Sequence, residues 1–193
     1  MGLGHPTLAF NSGIQLWHPT LAFNLDVSLG SELGNEQGSG KSTRALGDGN
    51  GDGMIHRLEV ATLGSGLWEF TQVLEEYVAQ SGVGDGLCTL FVQHTSASLI
   101  VQENADPSAR RDLENWLNRL VVENDALYTH TLEGPDDMPA HIKSALTATS
   151  LAIPVAAGRL MLGTWQGVYL WEHRRSGSLR SVAVHLGADP LEA

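Results

Sequence analysis

The 193-residue chain has one cysteine, no long apolar run, and half as many basic side chains as acidic ones. A lone thiol, Cys88, cannot close an internal disulfide, which rules out a disulfide framework. Cys88 sits in the apolar run "LCTLFVQ", where a buried, inert thiol is expected rather than a nucleophile. No stretch approaches the ~18 consecutive apolar residues of a membrane span, so no membrane partner is expected. The N-terminus has no basic region ahead of an apolar stretch, and no secretory signal is expected. These absences point to a reducing cytoplasm. The formal net charge of −11 removes the basic footprint that nucleic-acid binding needs.

What is present suffices for one domain plus a tail, with 42% hydrophobic residues to form a core. The composition changes near Met54. Residues 1–53 are rich in Gly, Ser, Asn and Asp, and "HPTLAFN" occurs twice, at His5–Asn11 and at His18–Asn24. Two copies are too few to stack into a solenoid, and the segment is expected to have little order. Within it, "GSGKST" (Gly38–Thr43) has the end of a phosphate-binding loop, but Asn35 stands where the first glycine belongs. No strand precedes it to hold its amides around a phosphate. The stretch "DGNGDGMIHRLE" (Asp48–Glu59) has the residue pattern of a calcium loop. Its flanks lack the entering and leaving helices, so calcium binding is not expected there. Gly53 is read as the end of the extension, and residues 54–193 as the domain.

From Met54 onward the pattern becomes regular. "MIHRLEVAT" alternates as a strand does. "GLWEFTQVLEEYVAQSG" predicts one helix, with Leu67, Phe70, Val73, Leu74, Tyr77 and Val78 on its apolar stripe and Gly82 as the stop. "LCTLFVQHT" and "ASLIVQE" read as strands. "DPSARRDLENWLNRLV" predicts a helix capped by Asp106, with Pro107 first and Ala109, Leu113, Trp116, Leu117 and Leu120 on one face. "MPAHIKSALTAT" predicts a shorter helix. "LAIPVAA", "GRLMLGTW", "GVYLWEH" and "LRSVAVHLG" then predict consecutive strands. The expected fold is a single α+β domain, with a mixed or antiparallel, sandwich-like sheet and about three helices.

Three polar clusters are candidates for chemistry. Of eight histidines, His5 and His18 belong to the duplication, while His56, His173 and His185 lie on strand-like segments and are read as structural. His94 opens "HTSAS", where Thr95 and Ser96 add hydroxyls. His130 opens the acidic loop "HTLEGPDD", and His141 follows on the helix beyond it. "QENADPS" sets Glu103, Asn104 and Asp106 between a strand and a helix N-terminus, where capping and ligand roles are both open. "GTWQG" offers Trp165 and Gln166 at a tight turn, a flat apolar face beside an amide that suits an aromatic ligand.

These clusters, in this order, resemble the YjbQ family, whose members are called secondary thiamine-phosphate synthases. The resemblance runs from about Met54 to Gly187. It is carried by "SLAIPVAAGRLMLGTWQGV" (Ser150–Val168), "HTSASLIVQENADP" and "EGPDDMPAHIKS".

The resemblance implies a compact α+β domain assembled as a homotrimer, with polar sites near subunit boundaries. It also implies a reaction that joins a pyrimidine pyrophosphate to a thiazole phosphate and releases pyrophosphate. Under that implication His94, His130, His141, Glu103 and Asp106 carry catalysis. Thr95, Ser96, Asn104, Lys143, Trp165 and Gln166 hold the substrate, with Lys143 on a phosphate. The three histidines, or alternatively Asp136 and Asp137, hold a divalent metal ion. Zinc fits imidazole ligands, whereas magnesium fits pyrophosphate departure. Two alternatives stay open: a metal-dependent hydrolase of a phosphate ester or amide, and a trimeric module that binds a metabolite or metal without catalysis.

Overall fold

The computed structural model describes residues 54–189. The duplicated peptide, the "GSGKST" stretch and most of the calcium-loop pattern lie outside the described residues. Of that last motif Glu59 is seen, and it lies on a strand and accepts a hydrogen bond from Ser181.

Eight strands and three helices are described in the order β1 (Met54–Ala61), β2 (Gly66–Glu69), α1 (Thr71–Gln80), β3 (Gly86–Val92), β4 (Ala97–Glu103), α2 (Pro107–Leu120), α3 (Asp137–Leu146), β5 (Ser150–Ala156), β6 (Arg159–Leu160), β7 (Gln166–Glu172) and β8 (Leu179–Ala188). Every strand pairing is antiparallel. One sheet has five strands in the order β1-β8-β3-β5-β6, and the other has three, β2-β7-β4. The α+β expectation therefore holds, as an antiparallel sandwich.

The alternation of side chains decides how the layers stack. Leu58, Val60, Leu90, Val182 and Val184 of the large sheet meet Leu99, Val168 and Leu170 of the small one, with Leu74 and Val78 of α1, in one core. A second cluster, Leu117, Val121 and Trp171 with Leu113 and Ile142, lies on the other face of β7 under α2 and α3. Strand β7 is thus buried on both faces, so "VYLW" reads as an unbroken apolar run rather than an alternating one.

Two expectations need correction. Leu67 is not on the α1 stripe: residues 66–69 form β2, paired with β7 from Gly66↔Glu172 to Glu69↔Tyr169. The i, i+3 spacing of Leu67 and Phe70 imitates a helix, but the β7 edge offers that backbone a ladder of hydrogen bonds. On α2 only Leu117 is buried, while Trp116 and Leu120 are exposed. The small sheet is narrow, and α2 covers it with less than the full predicted face. Asp106 does cap α2, its carboxylate accepting from Ser108 N–H at 2.7 Å, with Pro107 at the first helical position.

Candidate functional site

One end of the sandwich gathers a dense set of paired ionisable side chains. There β3 ends and its chain crosses to β4 in the other sheet, β7 ends, β8 begins, and α3 starts. His94, Thr95 and Ser96 stand on the β3–β4 crossing, and Asp136 and Asp137 stand at the start of α3.

The tightest cluster is His130, Asp137 and His141, whose ligand atoms all lie within 4.8 Å of one another. Asp137 and His141 are one helical turn apart and so share a face of α3. Asp137 Oδ2 lies 2.7 Å from His130 Nε2 and 3.4 Å from His141 Nε2. The Asp137 side chain is 2% exposed, while His130 and His141 are 46% and 33% exposed, so an ion from solvent can reach a pre-placed carboxylate. His141 Nδ1 lies 3.1 Å from the Thr95 carbonyl. A carbonyl only accepts, so Nδ1 is the donor of that bond, and Nε2 is the nitrogen turned toward Asp137. Such an outer bond is what orients a metal-ligating imidazole. Two imidazoles and a carboxylate form a donor set suited to a divalent transition metal.

Arg174 holds the other carboxylate oxygens. Its guanidinium donates to Asp137 Oδ1, to Asp136 Oδ2 at 3.1 Å and to the Glu133 carbonyl at 2.8 Å. Burial pushes the Asp136 pKa up, but the Arg175 N–H and the Arg174 guanidinium overcome it and hold the carboxyl below its ordinary range. Asp136 is thereby committed to arginines, and Asp137 is the acid that faces the histidines.

His94 stands outside that cluster. Its Nδ1 accepts from Ser96 N–H at 3.0 Å, and Arg180 Nη1 lies 2.6 Å from its Nε2. A neutral imidazole accepts at one nitrogen only, so Nδ1 is taken by Ser96 and Nε2 faces a guanidinium, whose charge repels an incoming cation. Burial first, and then Arg180, lowers the His94 pKa from its ordinary 6.5. Arg180 is itself clamped by Glu172 through Nε–Oε2 at 2.6 Å and Nη2–Oε1 at 2.8 Å. His94 and His141 both border a groove of about 530 Å³ that also takes in Phe91, Thr95 and Ala145. Ser96 is buried and contributes its backbone.

The remaining candidates lie elsewhere. Glu103, Asn104 and Asp106 sit at the far end of β4, beside Trp165 and Gln166 at the start of β7. Strand β4 separates them from His94 and Thr95 by about 20 Å, at roughly 3.3 Å per residue. Asn104 and Gln166 line a separate cavity of about 550 Å³ with Glu69, Thr71 and Arg159. Lys143 lies on α3, about 200° around the helix from His141, and faces a third cavity. Burial lowers its pKa from the ordinary 10.5.

Sequence reasoning passed over Glu172, Arg174 and Arg180. Two of them carried a signal. Arg180 is in phase with the inward-facing Val182, Val184 and Leu186, and Glu172 with Val168 and Leu170. A charge in register with a buried stripe calls for a buried partner. Arg174, on the loop after β7, had no such mark.

The family model for "UPF0047 protein YjbQ-like" matches residues 56–189. UPF0047 protein sll1880 of Synechocystis is 54% identical over 132 residues, covering 68% of this chain and 90% of that protein. UPF0047 protein YjbQ of Escherichia coli O157:H7 is 46% identical, over 60% of this chain and 83% of its own. The crystal structure of the conserved hypothetical protein TT1486 from Thermus thermophilus superposes with a TM-score of 0.61 at 39% identity, over 68% of this chain and 98% of that one. With the family model matched over residues 56–189 and the fold in agreement, the chain belongs to the YjbQ (UPF0047) family.

Proposed function

We propose that this chain is a divalent-cation-dependent enzyme acting on a small phosphorylated metabolite beside His130, Asp137 and His141. The observation that carries the proposal is the convergence of those three ligand atoms, with His141 already oriented by the Thr95 carbonyl. The reaction in view is the one the family resemblance implies: a pyrimidine pyrophosphate joins a thiazole phosphate to give thiamine phosphate and pyrophosphate. A cation held there would supply Lewis acidity toward the departing pyrophosphate.

The chain's own groups then have distinct tasks. Arg174 fixes Asp137 so that one oxygen points at the histidines. Half-exposed Phe91, in the groove that His141 borders, offers an aromatic face to a pyrimidine as it loses its leaving group. Thr95 borders the same groove as a hydroxyl donor. Glu103, Asn104, Asp106, Trp165 and Gln166 take no part in this reading within one protomer. The assembly that goes with it is a homotrimer in the cytoplasm.

A second reading is hydrolysis of a phosphate ester or amide, favoured by one observation. Two imidazoles with a single carboxylate suit zinc better than magnesium, and zinc activates water well. The test is an assay of metal-stripped protein reloaded with zinc, manganese or magnesium, given both thiamine precursors or a panel of phosphate esters and amides. Thiamine phosphate and pyrophosphate formed in step, and lost in His141→Ala, is the expected result. Ester or amide cleavage without condensation would favour hydrolysis. No metal-dependent turnover of either kind would leave only the binding module.

A further inference from the structure

Lys143 is the one described lysine, and it is 6% exposed. Its ammonium donates to a neutral acceptor, Asn118 Oδ1, at 2.6 Å. Among the described residues no carboxylate pairs with it. The nearby acids bond to other groups: Glu123 to Arg175, Asp136 to Arg174 and Glu114 to the Ser65 hydroxyl. An ammonium carries three N–H donors, and a buried cation without a counter-charge is costly unless something anionic completes it.

The surroundings suit such a group. Lys143 borders a cavity of about 420 Å³ with Ser65, Asn118, Glu123, His173 and Arg175. The Asn118 carbonyl is spent on the lysine, which leaves the amide N–H₂ as its free function. Arg175 stands at the exposed side of the cavity. His173 is held through Nε2 to Ser98, 2.9 Å away. The unspent groups are thus chiefly donors, and the cavity has the size of a small-ligand site. We propose that this cavity, on the far side of α3 from His141, is a second binding site that takes a small oxyanion onto Lys143 and Asn118. The phosphoryl or carboxylate group of a metabolite has that chemistry. The site stands on Lys143 and does not depend on the reading of His130, Asp137 and His141.

The test uses the full chain, stripped of metal and kept in a chelator, titrated with inorganic phosphate and separately with acetate by calorimetry. Saturable binding of either anion is expected, weakened at least 10-fold by Lys143→Gln. Asn118→Asp is the second variant. It puts a carboxylate on the lysine from a surface position, and it should abolish anion binding while raising the melting temperature. A His130→Ala/His141→Ala protein should bind the anion as the wild type does, which separates this site from the metal cluster. Absence of saturable binding by both anions, or undiminished binding by Asn118→Asp, would overturn the proposal.

Discussion

Replacing Glu172 by Gln should destabilise the domain by more than almost any other single polar change. Glu172 and Arg180 lie between the two sheets, with side chains 0% and 6% exposed. The carboxylate accepts from Arg180 Nε and Nη2, from Thr62 Oγ1 at 3.1 Å and from Arg174 N–H at 3.0 Å. Glutamine keeps the shape but removes the charge, and it turns an N–H₂ toward groups that are themselves donors. Breaking one side of a buried ion pair costs about 3–5 kcal/mol, because the other charge stays behind uncompensated. Against a typical domain stability of about 5–15 kcal/mol, that is about a fifth of the total at the least. With a urea m-value of about 2 kcal/mol/M, the unfolding midpoint should fall by about 2 M.

The cost lies in the stranded charge rather than in the lost contacts. A Glu172→Met/Arg180→Met protein should recover at least half of the loss, since apolar replacements of similar volume are often tolerated in place of a buried pair. The measurement is equilibrium urea unfolding of wild type, both single variants and the double variant. A single-variant loss under about 1 kcal/mol, or losses that simply add in the double variant, would refute the argument.

Asp137→Asn should weaken zinc or manganese binding at least about 100-fold, read by calorimetry, while Asp136→Asn changes it far less, because Asp136 is spent on Arg174 and Arg175. Burial, then Lys143 and Arg180, pushes the His173 pKa from 6.5 down to about 3. Above pH 6.5 this ring is neutral whether folded or unfolded. Below it the unfolded chain takes up a proton that the folded one refuses, so stability falls between pH 6.5 and about 3, by about 1.4 kcal/mol per unit. His173→Gln should flatten that part of a stability–pH curve, and an unchanged slope would contradict the burial argument. Burial pushes the Cys88 thiol up to about 12, so native protein at pH 8 should resist a thiol reagent that labels it fully in urea. Rapid labelling of the native protein would count against it.

What could be read from the sequence was what local chemistry decides. The Asp106–Pro107 start of α2 involves groups within two residues of each other, and it was legible. Strands β3, β4, β7 and β8 were legible because burial imposes period two, or none where both faces are covered. Strand β2 was not, since its partner on β7 lies about a hundred residues away, and four residues cannot establish a period. The candidate site suffered from a different shortfall. Glu103 and Asn104 follow Thr95 closely in sequence and the family resemblance assigns them to the same reaction, yet extended β4 carries them to the other end of the sandwich. Asp137 and His141 are four residues apart on a helix, and there a short separation does mean contact.

The charge balance at the site bears on what it recruits. Each carboxylate at this end of the sandwich already has an arginine: Asp136 and Asp137 share Arg174, and Glu172 holds Arg180. A carboxylate neutralised on one oxygen still has lone pairs on the other, so Arg174 keeps Asp137 in place and offsets its charge before any ion arrives. A divalent cation on His130, Asp137 and His141 would then leave the ion, Asp136, Asp137 and Arg174 together with an excess positive charge of about one, since neutral imidazoles add none. Without Arg174 the excess would be about nil, and phosphate would be held less strongly. The arginine that weakens cation binding therefore strengthens binding of an anionic substrate to the loaded site. Arg174→Gln should accordingly move the two affinities in opposite directions, tightening the metal and loosening phosphate at saturating metal. A variant that lost both together would point to a collapsed site rather than to this balance.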